Sequence, residues 1–186
     1  RTVALDLLIE AEHGSDSQAL LITSSEKLAR ETASLLPSLL EELPEPRRTF
    51  AGDVLTGYGG IITTDSIEEA AEIVNRFAPE HLQVRTEEPF DTLALISNAG
   101  EILLGEHIPF SVANYAAGPN AVLPTGGTAK TYSPVSVSDF QKASSLVYST
   151  PTGFRTVKDH VVRLARYEGF SAHANALIDR NKGETD

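Results

Sequence analysis

Apolar residues at Val3, Ala4, Leu7, Leu8 and Ala11 recur at spacings of three and four, which predicts a helix from Thr2 to Glu12 with one apolar face, stopped by Gly14. Glu10 and His13 then lie about one turn apart. The run Ala19 to Ile22 suits a short buried strand. Ser25 is placed to open a second helix that reaches Glu42 unless Pro37 kinks it. A turn-rich link, Leu43-Pro44-Glu45-Pro46, follows. Further along, Gly60 to Thr63 reads as a strand, Ser66 to Phe77 as a helix, Leu82 to Val84 as a strand, Pro89 to Ser97 as a helix and Ile102 to Leu104 as a strand. Strands alternating with helices predict an α/β fold of Rossmann-like βαβ units, with a parallel sheet covered on both faces.

The pattern changes at His107. From there to Pro134 the chain is rich in Gly, Pro, Asn and Ser, and loops of that length are usually functional or disordered. Ser138 to Tyr148, Gly153 to Tyr167 and Ala172 to Arg180 return to helical spacing, with Val157, Val161, Leu164 and Ala165 on one apolar stripe and a frayed end from Asn181 to Asp186. This helical tail has little sheet of its own to pack against and is expected to reach across to another subunit. The expected organisation is an α/β domain over residues 1–150 and a helical dimerisation tail over 151–186.

Composition narrows the function classes. A chain of 186 residues with 41% hydrophobic content can bury an ordinary core. No stretch approaches a membrane span, and Arg1-Thr2-Val3 lacks the order of a secretory signal, so a cytoplasmic protein is expected. The net charge of −11 argues against nucleic acid or an anionic membrane as partner and leaves a small molecule. With no cysteine, any metal must be held by nitrogen and oxygen ligands, and only five histidines can supply imidazole. The absence of methionine, with an opening directly into helix-like text, reads as a piece of a longer protein.

Glu10 and His13 on one helix face can share a cation, or can form a solvated helix end in which His13 answers the helix dipole. Pro79-Glu80-His81-Leu82 sits at a helix-to-strand turn, the kind of edge where α/β proteins place reacting groups. Adjacent Glu80 and His81 can act as two proton carriers, or be an ordinary polar loop. The run Ser111 to Gly127 combines small residues with side-chain amides, but it matches no dinucleotide fingerprint. His107 and His160 have no chemical context and are assigned to surface or packing roles. His173, alone in the tail, reads first as a packed or exposed histidine.

Taken in order, these segments resemble the histidinol dehydrogenase family over nearly the whole chain. Asp6-Leu7-Leu8 to Glu12-His13-Gly14 resembles the family's helix with a Gln-x-x-His zinc pair, and Ala78-Pro79-Glu80-His81-Leu82 its Pro-Glu-His-Leu turn. Asn120 to Gly127 is similar to its Asn-His-Val-Leu-Pro-Thr segment, followed by Ser138-Asp139-Phe140. Glu168-Gly169-Phe170-Ser171-Ala172-His173 resembles its C-terminal motif. The resemblance implies a zinc- and NAD-dependent, four-electron oxidation of L-histidinol to L-histidine in a homodimer. It implies Glu10, His13, Asn114 and His173 as zinc ligands, with His173 coming from the partner subunit. Glu80 would activate water, His81 would take protons, and Glu168 and the position of Ala121 would contact substrate. The nicotinamide would be bound mainly by a domain outside this chain. Glu10 stands where the family has Gln, Asn114 where it has Asp, and Ala121 where it has His; the first two exchanges cancel in charge. The third removes a substrate contact and leaves room for another amino or hydroxy alcohol. A noncatalytic metal-binding or dimerisation piece is the remaining alternative.

Overall fold

The face that α1 (Thr2–Ala11) buries is the one marked by its apolar spacing: Ala4, Leu7, Leu8 and Ala11. Against it pack Leu39 of α2 (Glu26–Glu41), Ala51 and Val54 of α3 (Arg47–Thr56), and Ala19. Fully buried side chains such as Leu39 and Val54 each contribute about 1.5–3 kcal/mol from burial. Ser25 caps α2 by accepting the Leu28 N–H at 3.2 Å, and the helix continues through Pro37 to Glu41. No element is predicted over residues 47–56, yet α3 forms there. Its apolar positions Phe50, Ala51, Val54 and Leu55 have helical spacing, but Gly52 and two threonines dilute the pattern.

The computed structural model describes residues 1–181 and divides the chain into two compact units, one from Arg1 to Asp139 and one beginning at Phe140. In the first unit the fold is α/β with small parallel sheets. β1 (Leu20–Thr23) pairs with β2 (Gly60–Thr63), with α2 and α3 between them in sequence. β3 (His81–Val84) pairs with β4 (Glu101–Leu104), joined through α5 (Pro89–Leu93), in the register His81 to Glu101. The strands are four residues long, and among the described residues they pair two by two rather than in the single sheet that alternation predicts.

α4 (Ile67–Phe77) starts at Ser66, whose hydroxyl accepts the Glu69 N–H at 3.2 Å. α5 ends well before the predicted Ser97 because the Asn75 side chain captures that backbone. It donates to Leu95 O at 2.8 Å and accepts from the amides of Ser97 and Asn98 at 2.7 and 3.1 Å. The long segment from His107 to Pro134 is not wholly irregular, since α6 (Phe110–Tyr115) lies within it.

The helix expected from Ser138 to Tyr148 is replaced by a 3₁₀ turn, Val137–Phe140, and then by irregular chain up to Thr150. Asp139 accepts from the Ser136 amide at 2.6 Å and from its hydroxyl at 3.1 Å, a local turn that competes with a helix. In the second unit α7 (Pro151–Tyr167) and α8 (Ser171–Ile178) pack on each other around Ala165 and Ala174. Thr150 caps α7 by accepting the Gly153 N–H. Gly169, at φ +81°, makes the turn between the two helices. The frayed end expected from Asn181 to Asp186 falls, beyond Asn181 itself, outside the described residues. No helix among the described residues is long and apolar enough to cross a membrane.

Candidate functional site

Ala78 ends α4 in the left-handed region at φ 53°, which costs an L-residue about 1–2 kcal/mol, and it is fully buried. The reversal sends Pro79 and Glu80 directly into β3, so His81 begins the strand. Gly100 lets the backbone leading into β4 approach this turn closely. A Cβ there would stand 2.5 Å from the Glu80 carbonyl oxygen and 3.2 Å from Pro124 Cδ. With only a hydrogen in that place, the Gly100 and Glu101 amides donate to Pro79 O and Glu80 O at 2.9 and 2.8 Å.

The pairing sets His81 beside Glu101. His81 Nδ1 and Glu101 Oε2 are 3.1 Å apart, with side chains 12% and 10% exposed. The other ring nitrogen, Nε2, is 3.6 Å from Glu80 Oε1, whose side chain is more open to solvent. The Phe110 ring meets the imidazole edge-on, centroids 5.8 Å apart. One imidazole is thus flanked by two carboxylates. Glu101 escapes the sequence reading because it stands just before the apolar run Ile102 to Leu104, and only the register of β3 on β4 reveals its partner.

A second group lies at the end of α1. Glu10 occupies its last turn and His13 follows the helix, with His13 Nε2 3.9 Å from Glu10 Oε2. The other oxygen, Glu10 Oε1, is buried and has no hydrogen-bond partner among the described residues. A buried carboxylate oxygen left bare is costly, so this position calls for a cation or a donor. Arg47 of α3 steadies the loop by donating to the carbonyls of Glu12 and His13 at 3.0 and 3.5 Å, and Ser15 donates to Asp53 at 2.6 Å.

α6 links the two groups: it packs against α1, carries the half-buried Asn114, and presents Phe110 to His81. Arg85, just past β3, donates to Asp6 Oδ2 at 2.7 Å and Thr2 Oγ1 at 3.1 Å, tying that strand to α1. Pro124 against Gly100 brings the Asn120 segment beside the Glu80 turn. Asn120 braces that segment by donating to Val135 O at 2.6 Å and accepting from Val122 N at 2.9 Å, while Ala121 is exposed.

Glu168 and His173 belong to the second unit. Both are exposed; Glu168 ends α7, and the His173 ring lies 5.2 Å from that of Phe170. His107 and His160 are exposed. Within the described residues of this chain, no group of three or more His, Asp or Glu side chains gathers as a metal site. The site residues read from sequence therefore fall into the pair Glu80 and His81, the pair Glu10 and His13, Asn114 on the α6 helix that packs against α1, the exposed Ala121, and Glu168 and His173 of the second unit.

Comparison with known proteins matches residues 1–181 to the family described as histidinol dehydrogenase. A histidinol dehydrogenase from Synechocystis sp. is 54% identical over 97% of this chain and 42% of its own length. A protein from Mesorhizobium japonicum named histidinol dehydrogenase homolog 2 is 50% identical over 95% of this chain and 40% of its own. The crystal structure of histidinol dehydrogenase from Elizabethkingia anophelis superposes with a TM-score of 0.91 at 35% identity, over 97% of this chain and 41% of that one. The chain thus spans about two fifths of the length of these relatives.

Proposed function

The chain belongs to the histidinol dehydrogenase family, and from that premise we propose that it forms part of an enzyme oxidising L-histidinol to L-histidine through histidinal, a step in histidine biosynthesis. The observation that carries the proposal is the His81 imidazole, in contact with Glu101 through Nδ1 and with Glu80 3.6 Å from Nε2. Such a reaction needs a base for protons and a second group for water. In the first oxidation His81 takes the hydroxyl proton as a hydride leaves the carbinol carbon for a nicotinamide. Water, losing a proton to Glu80, then adds to the aldehyde carbon. His81 takes a proton again as the second hydride leaves, giving the carboxylate. NAD, when bound, would accept both hydrides, and one water oxygen enters the product.

The donor chemistry at the end of α1 supports a zinc site completed by groups from elsewhere. The bare Glu10 Oε1, the His13 imidazole beside it and the Asn114 amide on the adjoining helix are nitrogen and oxygen ligands of the kind zinc accepts, with His173 of a second copy as the fourth. When bound, zinc would orient and polarise the substrate without redox chemistry. NAD is the hydride acceptor in this reading and is bound chiefly by chain outside these residues, in the setting of Rossmann-like units. A homodimer in the cytoplasm completes the proposal.

A second reading has its own support. Ala121 is exposed and offers no hydrogen bond, and a relative named only as a homolog is nearly as similar as one named histidinol dehydrogenase. A related amino or hydroxy alcohol is therefore the alternative substrate. One assay separates the two: the intact protein, given NAD and L-histidinol, should form two NADH per histidine released. Turnover of other amino alcohols with none of histidinol would move the assignment to the alternative.

A further inference from the structure

We infer that Glu101 is a positioning residue that holds the His81 imidazole with its hydrogen on Nδ1, leaving the Nε2 lone pair as the one available to react. A carboxylate only accepts hydrogen bonds, so the 3.1 Å contact to Nδ1 is made when that nitrogen carries hydrogen. Both side chains are about nine-tenths buried, where water cannot substitute for either partner. At 3.6 Å from Glu80, Nε2 is beyond a good hydrogen bond and stays uncommitted. The Phe110 ring packs T-shaped against the imidazole, with centroids 5.8 Å apart. A carboxylate that orients a histidine and stabilises it once protonated is a recurring device of proton-transferring sites.

Cross-strand pairing offers a simpler account, since His81 and Glu101 face each other across a two-stranded sheet and such pairs stabilise sheets by about 0.2–1 kcal/mol. That account makes no demand on the tautomer. The inference deepens the proton-carrier role proposed for His81 and rests on it for any effect on turnover; the tautomer itself can be read without substrate.

The test uses ¹⁵N-labelled chain at about pH 8.5, above the ordinary imidazole value. Long-range nitrogen–proton correlations of the ring identify which nitrogen is protonated, and His81 is assigned by the signal lost in His81→Asn. The native chain should show hydrogen on Nδ1. Glu101→Gln, which keeps the shape but can present an amide donor, and Glu101→Leu, which has no acceptor, should both move hydrogen to Nε2. In the intact enzyme Glu101→Leu should lower kcat of both oxidations with KM little changed, by up to about 10⁴-fold, the scale known for loss of a carboxylate that orients a proton-transferring histidine. Hydrogen already on Nε2 in the native chain, or hydrogen remaining on Nδ1 in Glu101→Leu, would overturn the inference, whereas the stated tautomer change with an unchanged kcat would count against the proton-carrier role proposed for His81. A tautomer that responds as stated in a protein that makes no NADH from histidinol would instead count against the proposed function.

Discussion

At the scale of single residues, the two carboxylates beside His81 have different surroundings, and this suggests different duties. Glu80 is partly open to solvent, whereas Glu101 is closed in. If Glu80 serves the water-adding step, Glu80→Gln in the intact enzyme should still convert the alcohol to the aldehyde and stall before the acid, because an amide cannot take a proton from water. Replacing His81 should slow both oxidations by about 10²–10⁴-fold. Following aldehyde and acid separately during single turnovers checks the division, and equal losses of both half-reactions in Glu80→Gln would refute it. At the other group, His13→Ala and His173→Ala should each remove most of the bound zinc, and elemental analysis finding native zinc in both would displace the proposed ligands. The Pro79-Glu80-His81 turn and the Glu10–His13 spacing were legible in the sequence because both are local. Glu101 was not, because its meaning depends on a register set by residues twenty positions away.

At the scale of elements, capping and apolar spacing located most helices and strands, as Ser25 and Ser66 illustrate. Failures came where side chains took over backbone hydrogen bonds. Asn75 shortened α5, and Asp139 folded a turn where a helix was expected. The junction of β3 and β4 depends on a missing side chain. Gly100→Ala would force a methyl group against a backbone carbonyl that cannot swing aside, and overpacking of this kind costs about 1–3 kcal/mol. Its thermal midpoint should fall, and activity of the intact enzyme should fall further than stability accounts for, since Glu80 and His81 would be displaced together. A variant of native stability and activity would mean that the strands separate freely at this point.

At the scale of the whole molecule, the alternation of strands and helices gave the α/β class, but the pairing of strands two by two could not be read from it. The second unit leaves Val157, Val161 and Leu164 substantially exposed on one side of α7, and Leu146, Val147 and Tyr148 almost entirely so. We expect these to meet a second copy in the intact protein. Light scattering should give a dimer, and deletion beyond Thr150 should give monomer or aggregate; a monodisperse monomer of the undeleted protein at micromolar concentration would contradict this. The two small sheets also bear on how the 186-residue chain behaves in a tube. Among the described residues each strand pairs with one other strand only, so its second edge has no strand partner, and leucines and isoleucines lie along it. The net charge of −11 opposes association through these edges in dilute buffer. Added salt screens that repulsion without covering the edges. For this chain, salting during purification should therefore promote precipitation, and low ionic strength should preserve it in solution.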